Sequence, residues 1–217
     1  QNPSHVYNAP GVYTVSLTVD GLDGPDTETK VGHVTVTAPG LSDPSFELQT
    51  AGTAPVAPWN ITFGSGHVIN PAGGTTSDNG MPSHGSQWCE LAADSTNGAT
   101  PPSNPGGPTT PPSGGAGVSQ GFSYPAGQAE LRFEAAFLRN EDANSQYNDW
   151  MSVDISDGST TYNVYFKDTG SATSGTSSKY GYAMTPVETV VVDLPTIFPS
   201  STPSTNFTLT AQVGNGT

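Results

Sequence analysis

Residues 118–166 read VSQGFSYPAGQAELRFEAAFLRNEDANSQYNDWMSVDISDGSTTYNVYF, and the run carries three or four long strands. Leu131, Phe133, Ala135 and Phe137 fall on one face, with Arg132, Glu134 and Ala136 on the other. Met151, Val153 and Ile155 alternate with Ser152, Asp154 and Ser156. Tyr162, Val164 and Phe166 alternate with Thr161, Asn163 and Tyr165. Alternation of period two predicts sheet with one buried face. Asp157-Gly158 separates two of these runs and predicts a hairpin turn, because both residues tolerate positive φ. A polar loop, residues 140–149, joins the earlier strands.

Working outward, the same pattern recurs. Strands are expected over residues 59–69, 86–91, 186–195 and 206–213, and nothing reads as a long helix. The 26 glycines and 20 prolines among 217 residues suit short strands joined by turns. Residues 95–117 and 169–178 are rich in Pro, Gly, Ser and Thr, and such composition cannot bury a core. They are read as exposed loops.

Nineteen acids stand against five bases, a formal charge of −14. Neutralising phosphates takes clustered Lys and Arg, so a nucleic-acid partner is not expected. An anionic membrane surface would repel the chain, and no apolar run is long enough to span a bilayer. Cys89 has no partner cysteine and reads as a small buried hydrophobe. The four histidines, His5, His33, His67 and His84, are scattered rather than spaced as zinc ligands. Gly-x-Ser-x-Gly elbows and phosphate loops do not occur. The carboxylates on and beside the 130–141 run, Glu130, Glu134 and Glu141, lack the opposing partner that a glycosidase needs. The chain is therefore read as non-enzymatic.

Calcium is the best-supported cofactor. It takes six to eight oxygen ligands from carboxylates, amides and backbone carbonyls. One candidate set is Asn140, Glu141, Asp142, Asn144, Asn148 and Asp149; a second is Asp43 with Glu47; Asp20, Asp23 and Asp26 form a weaker third. The competing reading is that Asn and Asp simply favour turns. Sequons at Asn60, Asn206 and Asn215 are candidate glycan acceptors, as are Thr109 and Thr110 in the Pro- and Thr-rich loop. Tyr180 and Tyr182 offer a flat platform for stacking a sugar. Trp59, Trp88 and Trp150 sit within strand patterns and read as core.

Residues 1–38 resemble the C-terminal half of a PKD domain, a small immunoglobulin-like β-sandwich of prokaryotic surface proteins and secreted hydrolases. Asn2-Pro3-Ser4-His5-Val6-Tyr7, Ala9-Pro10-Gly11 and the strand from Tyr13 to Val19 carry the resemblance. The family's earlier strands, with their Trp and Gly-Asp-Gly turn, do not occur before Gln1. The chain is thus expected to be a segment of something longer. Residues 39–40 form a linker. Residues 41–217 resemble the jelly-roll sandwiches of carbohydrate-binding modules and bacterial surface proteins, and residues 41–49 resemble their opening strand. That resemblance implies a structural calcium at Asp43 and Glu47.

The expected fold is all-β: a partial PKD sandwich followed by a jelly-roll sandwich. The expected function is a non-catalytic, calcium-stabilised and glycosylated structural or adhesive segment of an extracellular prokaryotic protein. The alternative is a carbohydrate-binding appendage of a secreted polysaccharide hydrolase. Two strands are marginal alone in water. Residues 213–217, VGNGT, resemble the PKD turn that comes before the Asn-Pro-Ser-His motif. The sandwich is expected to be completed either by preceding chain or head to tail by a copy of the same chain, and the second route would give a filament.

Overall fold

A computed structural model describes His5 and residues 11–36, 40–64, 67–71, 85–93, 114–124, 129–139, 149–171, 175–176, 182–203 and 205–215. The described chain is almost entirely β, as its alternation predicts. The sole helix among these residues is one turn, α1 (Leu194–Ile197), opened by the proline at its second position.

The first two strands form a hairpin of their own. β1 (Gly11–Gly21) pairs antiparallel with β2 (Gly24–Val36) through the tight turn Leu22-Asp23. β2 starts at Gly24, directly after the turn. Asp20 and Asp26 consequently lie in strands, and all three aspartates of the weaker calcium candidate are exposed. The register sets Tyr13 opposite Val34, but Val15, Leu17 and Val19 opposite Lys30, Glu28 and Asp26. One face of the ribbon is thus apolar on one strand and charged on the other. The opposite face carries hydroxyl pairs, Ser16 with Thr29 at 2.9 Å and Thr18 with Thr27 at 2.8 Å. Leu17 and Val19 are 54% and 59% exposed.

The larger unit is built on a five-stranded antiparallel sheet. It comprises β3 (Asn60–Phe63), β6 (Gly115–Phe122), β9 (Trp150–Ser156), β10 (Thr161–Asp168) and β14 (Phe207–Gly214), in the order β10-β9-β14-β6-β3. A second pair, β7 (Glu130–Ala135) with β13 (Glu188–Asp193), supplies the opposing layer. Val118, Phe122, Val153, Ile155, Tyr165, Phe207 and Leu209 from the first sheet meet Ala135 and Val192 from the second. Trp59, Tyr124, Leu194 and Phe198 close the core. β4 (His67–Pro71) pairs with β5 (Gln87–Leu91), and β8 (Leu138–Arg139), β12 (Ala183–Met184) and β11 (Gly175–Thr176) form a short three-stranded sheet.

The hairpin between β9 and β10 forms where Asp157-Gly158 predicts it. Gly158 takes φ +90°. Oδ1 of Asp157 accepts from the backbone N–H groups of Ser159 and Thr160 and from the Ser159 hydroxyl. Three expectations fail for identifiable reasons. Residues 41–49 form turns rather than an opening strand, since Asp43 and Phe46 adopt φ of 50° and 61°, which no strand accommodates. The alternation in β10 breaks at a β-bulge between Asn163 and Tyr165, so Tyr165 points to the core and Phe166 pairs with Ser152. Ser152 and Asp154, expected on a solvated face, are buried.

β14 lies in the middle of its sheet, bonded to β6 on one side and β9 on the other up to Gly214. The Asn215 N–H then donates to the Gly114 carbonyl at 3.0 Å. The strand leading into the 213–217 turn therefore has both edges paired within its own chain. Residues 216 and 217 lie outside the described residues.

Candidate functional site

The segment 41–49 crosses the edge of the core and carries the best-described polar constellation. Gln120, buried on β6, holds its start: its side-chain amide donates to the Ser42 carbonyl at 2.7 Å, and its oxygen accepts from the Ser42 N–H. The buried glutamine thus replaces the ladder that a strand here would have supplied. Phe46 stacks on Trp59 at 4.8 Å between ring centroids, and the Trp59 indole N–H donates to the Asp43 carbonyl at 2.9 Å.

Asp43 and Glu47 are engaged by different donors. The Asp43 carboxylate accepts from the Leu48 N–H at 3.0 Å and the Gln49 side-chain amide at 2.8 Å. Glu47 reaches far along the chain instead. Its Oε1 accepts from the N–H groups of Ser86 and Gln87 at 2.6 and 2.9 Å, and its Oε2 accepts from the Ser86 hydroxyl. These bonds hold the Glu47 carboxyl below its usual range, the Ser86 hydroxyl contributing most. All four carboxylate oxygens have protein donors, and Asp43 and Glu47 share none of them. Among the described residues, no three or more His, Cys, Asp or Glu side chains converge as a metal site. Asp149 precedes β9, and its carbonyl accepts from the Thr169 N–H at 2.9 Å. Asn140, Glu141, Asp142, Asn144 and Asn148 lie outside the described residues.

Glu47 therefore acts as a latch between residues 41–49 and the start of β5. A carboxyl whose folded pKa is depressed stabilises the fold above its unfolded pKa. That stability is lost as pH falls through the folded value. Glu47→Ala is expected to expose the Ser86 and Gln87 amides to hydrogen exchange at neutral pH. The parent protein should lose the same protection only below the ordinary carboxylate range. Equal protection of these amides in both proteins would remove the latch.

Of the sequons, Asn60 and Asn206 are exposed, whereas Asn215 is 8% exposed. Thr109 and Thr110 lie outside the described residues, as does Tyr180. Tyr182 is 41% exposed. The three tryptophans are buried, as expected of core residues. A shallow cleft of about 340 Å³ runs beside Asn206, lined by Gly40, Ser42, Gly121, Ser123 and Thr208. Burial and the Glu90 carboxylate push the Cys89 thiol up to about 12, so it is no thiolate nucleophile near neutral pH.

Two polar groups were not singled out by sequence. Lys167 on β10 pairs with Glu188 on β13 at 2.9 Å, tying the two core layers together. Asp154 lies buried on β9 with Ser152, Asn163 and Gln212 around it. In sequence it reads as one more solvated residue of an alternating strand, and only the pairing of β9 with β10 and β14 brings these donors together.

These features define an all-β sandwich preceded by a β-ribbon. A family model described as PKD domain matches residues 1–36, the stretch that contains the ribbon. A PKD domain is an extracellular, non-catalytic β-sandwich module. No curated protein and no solved structure matches the chain. Among the described residues, no helix is long and apolar enough to cross a membrane.

Proposed function

We propose that this chain is a non-catalytic structural or adhesive segment of an extracellular protein, working through contacts between modules rather than through a reaction centre. The observation that carries the reading is the PKD match over a ribbon whose Val12, Leu17, Val19 and Val31 side chains stand in solvent. A two-stranded ribbon gains stability only when a further layer covers it. Glycans on the exposed Asn60 and Asn206 belong to the same proposal. So does calcium, with Asp43 and Glu47, or Asp149 and the polar residues 140–148, as its donors. The carbohydrate-binding alternative rests on Tyr180 and Tyr182, of which Tyr182 is 41% exposed and Tyr180 lies outside the described residues.

Sedimentation of the chain over a range of concentrations, beside retention on insoluble polysaccharides, separates the two readings. Concentration-dependent association, reduced by Leu17→Lys, supports the structural role. A chain that stays monomeric yet is retained on polysaccharide overturns it in favour of the alternative. In the same preparation, a chelator is expected to lower the melting temperature, because a ligand bound only by the native state stabilises it. An unchanged melting temperature removes calcium from the proposal. Peptides of native material carrying unmodified Asn60 and Asn206 would remove the glycans.

A further inference from the structure

Asp154 sits on the second strand of the five-stranded sheet and is only 4% exposed. Its Oδ1 accepts from the Asn163 side-chain amide on β10 at 3.0 Å. Its Oδ2 accepts from the Ser152 hydroxyl at 3.0 Å and from the Gln212 side-chain amide on β14 at 2.9 Å. Gln212 also donates to the Ser152 hydroxyl at 3.1 Å, which closes the group into one network. Every donor is neutral. A buried carboxylate normally has a cation to offset its lost hydration.

No such cation faces Asp154 among the described residues. On β14, Thr210 lies directly opposite and Gln212 beside it. On β10, the bulge keeps Asn163 on this face, where its amide also donates to the Tyr165 carbonyl at 3.0 Å. On β9 itself, the same face carries Trp150, Ser152 and Ser156. The charged groups of this strand pair lie elsewhere. Asp168 pairs with Trp150 at the far end, Asp157 is in the hairpin loop, and Lys167 is held by Glu188.

We propose that Asp154 is an acid-tightened lock: the β10-β9-β14 ladder holds most firmly when this carboxyl carries a proton, and loosens when it ionises. The protonated form keeps the Asn163 and Gln212 bonds and reverses the one to Ser152, whose own hydrogen gives up Asp154 as its acceptor. Its O–H donates to the Ser152 hydroxyl, which rotates to accept, while Asn163 and Gln212 continue to donate. Ionisation leaves the three donors around a charge that the surroundings do not offset. Consistent with this, burial pushes the carboxyl above its usual range, although the three donors pull it down. A carboxyl raised in the folded state binds more protons folded than unfolded. Stability therefore falls as pH rises from the unfolded value through the folded one, and is level above it. Glu47 and Asp157 have the opposite sign, since their carboxyls are lowered.

The test compares the full chain with Asp154→Asn from about pH 8 to about pH 3, a span bracketing ordinary carboxylate titration. An asparagine fits the network once the Gln212 amide turns its oxygen inward. Glu47, Asp157 and the surface acids titrate alike in both proteins, so the difference in melting temperature isolates Asp154. The variant is expected to melt higher at pH 8, by about 3–5 °C for each pKa unit of elevation, with the gap closing toward about pH 3. A gap that does not change with pH overturns the proposal. Should the variant fail to fold, carboxyl carbon NMR of the parent chain decides. A titration midpoint for Asp154 above the ordinary value of about 3.9 supports the lock, and one at or below it refutes the lock.

Discussion

Phe207→Ala is expected to cost about 3–5 kcal/mol, the range for removing a fully buried aromatic ring from a packed core. Phe207 opens β14 and is 1% exposed. Its ring lies 5.1 Å from Phe198, 5.5 Å from Phe122 and 6.0 Å from Tyr124. The rings come from β6, β14, the residue after α1 and the residues after β6, so no single element closes over the vacated space. Aromatic pairs at these distances each add about 0.5–1.5 kcal/mol beyond buried area. Urea titration followed by tryptophan fluorescence measures the loss. Leu17→Ala is the control: its side chain is on the exposed ribbon, and surface changes stay within about 0.5 kcal/mol. A cost below about 1 kcal/mol for Phe207→Ala would mean that this aromatic cluster does not hold the sandwich together.

Gly64→Ala is expected to reach the exceptional end of single-residue effects, about 4 kcal/mol or more. Gly64 follows β3 at φ +71°, a conformation that an L side chain resists. A Cβ there would stand 1.9 Å from the Gly115 carbonyl oxygen, which is backbone and has no rotamer with which to yield. Gly115 has no room to retreat, because a Cβ on it would meet the Val213 carbonyl at 2.1 Å. The edge strand β3 must therefore move away from β6 or the sheet must open. Gly158→Ala separates backbone strain from the clash. Its φ is +90°, but nothing lies within 4 Å of the added methyl. It should cost about 1–2 kcal/mol, the penalty for left-handed backbone alone. Equal losses at the two glycines, by the same urea titration, would show that the close approach of β3 to β6 is absent.

The local chemistry of the chain determined much of this molecule. The alternation of Leu131, Phe133 and Ala135, and of Val153 and Ile155, placed core residues correctly, because side chains two apart in a strand share a face wherever the strand lies. Asp157-Gly158 determined a hairpin through the φ preferences of two neighbouring residues. The motif from Asn2 to Val19 marked the PKD stretch. Other features depended on partners distant in the chain. Residues 41–49 look like a strand until Gln120, 78 residues on, takes the place of a neighbouring ladder at Ser42. Asp43 and Glu47 stand four apart in sequence, but the Ser86 and Gln87 donors tie Glu47 to a site 39 and 40 residues away. The bulge at Asn163 shifts half of β10 to the opposite face, and such a shift leaves no trace in composition. Asp154 reads as a solvated strand residue, because alternation reports which residues share a face but not whether that face meets water. Only the folding of β10 and β14 beside β9 turned it into a buried carboxyl. The placement of β14 between two partners likewise decided that the C-terminal strand serves its own sheet: hydrogen bonding on both edges is set by which strands assemble, and each strand's sequence carries only its own pattern.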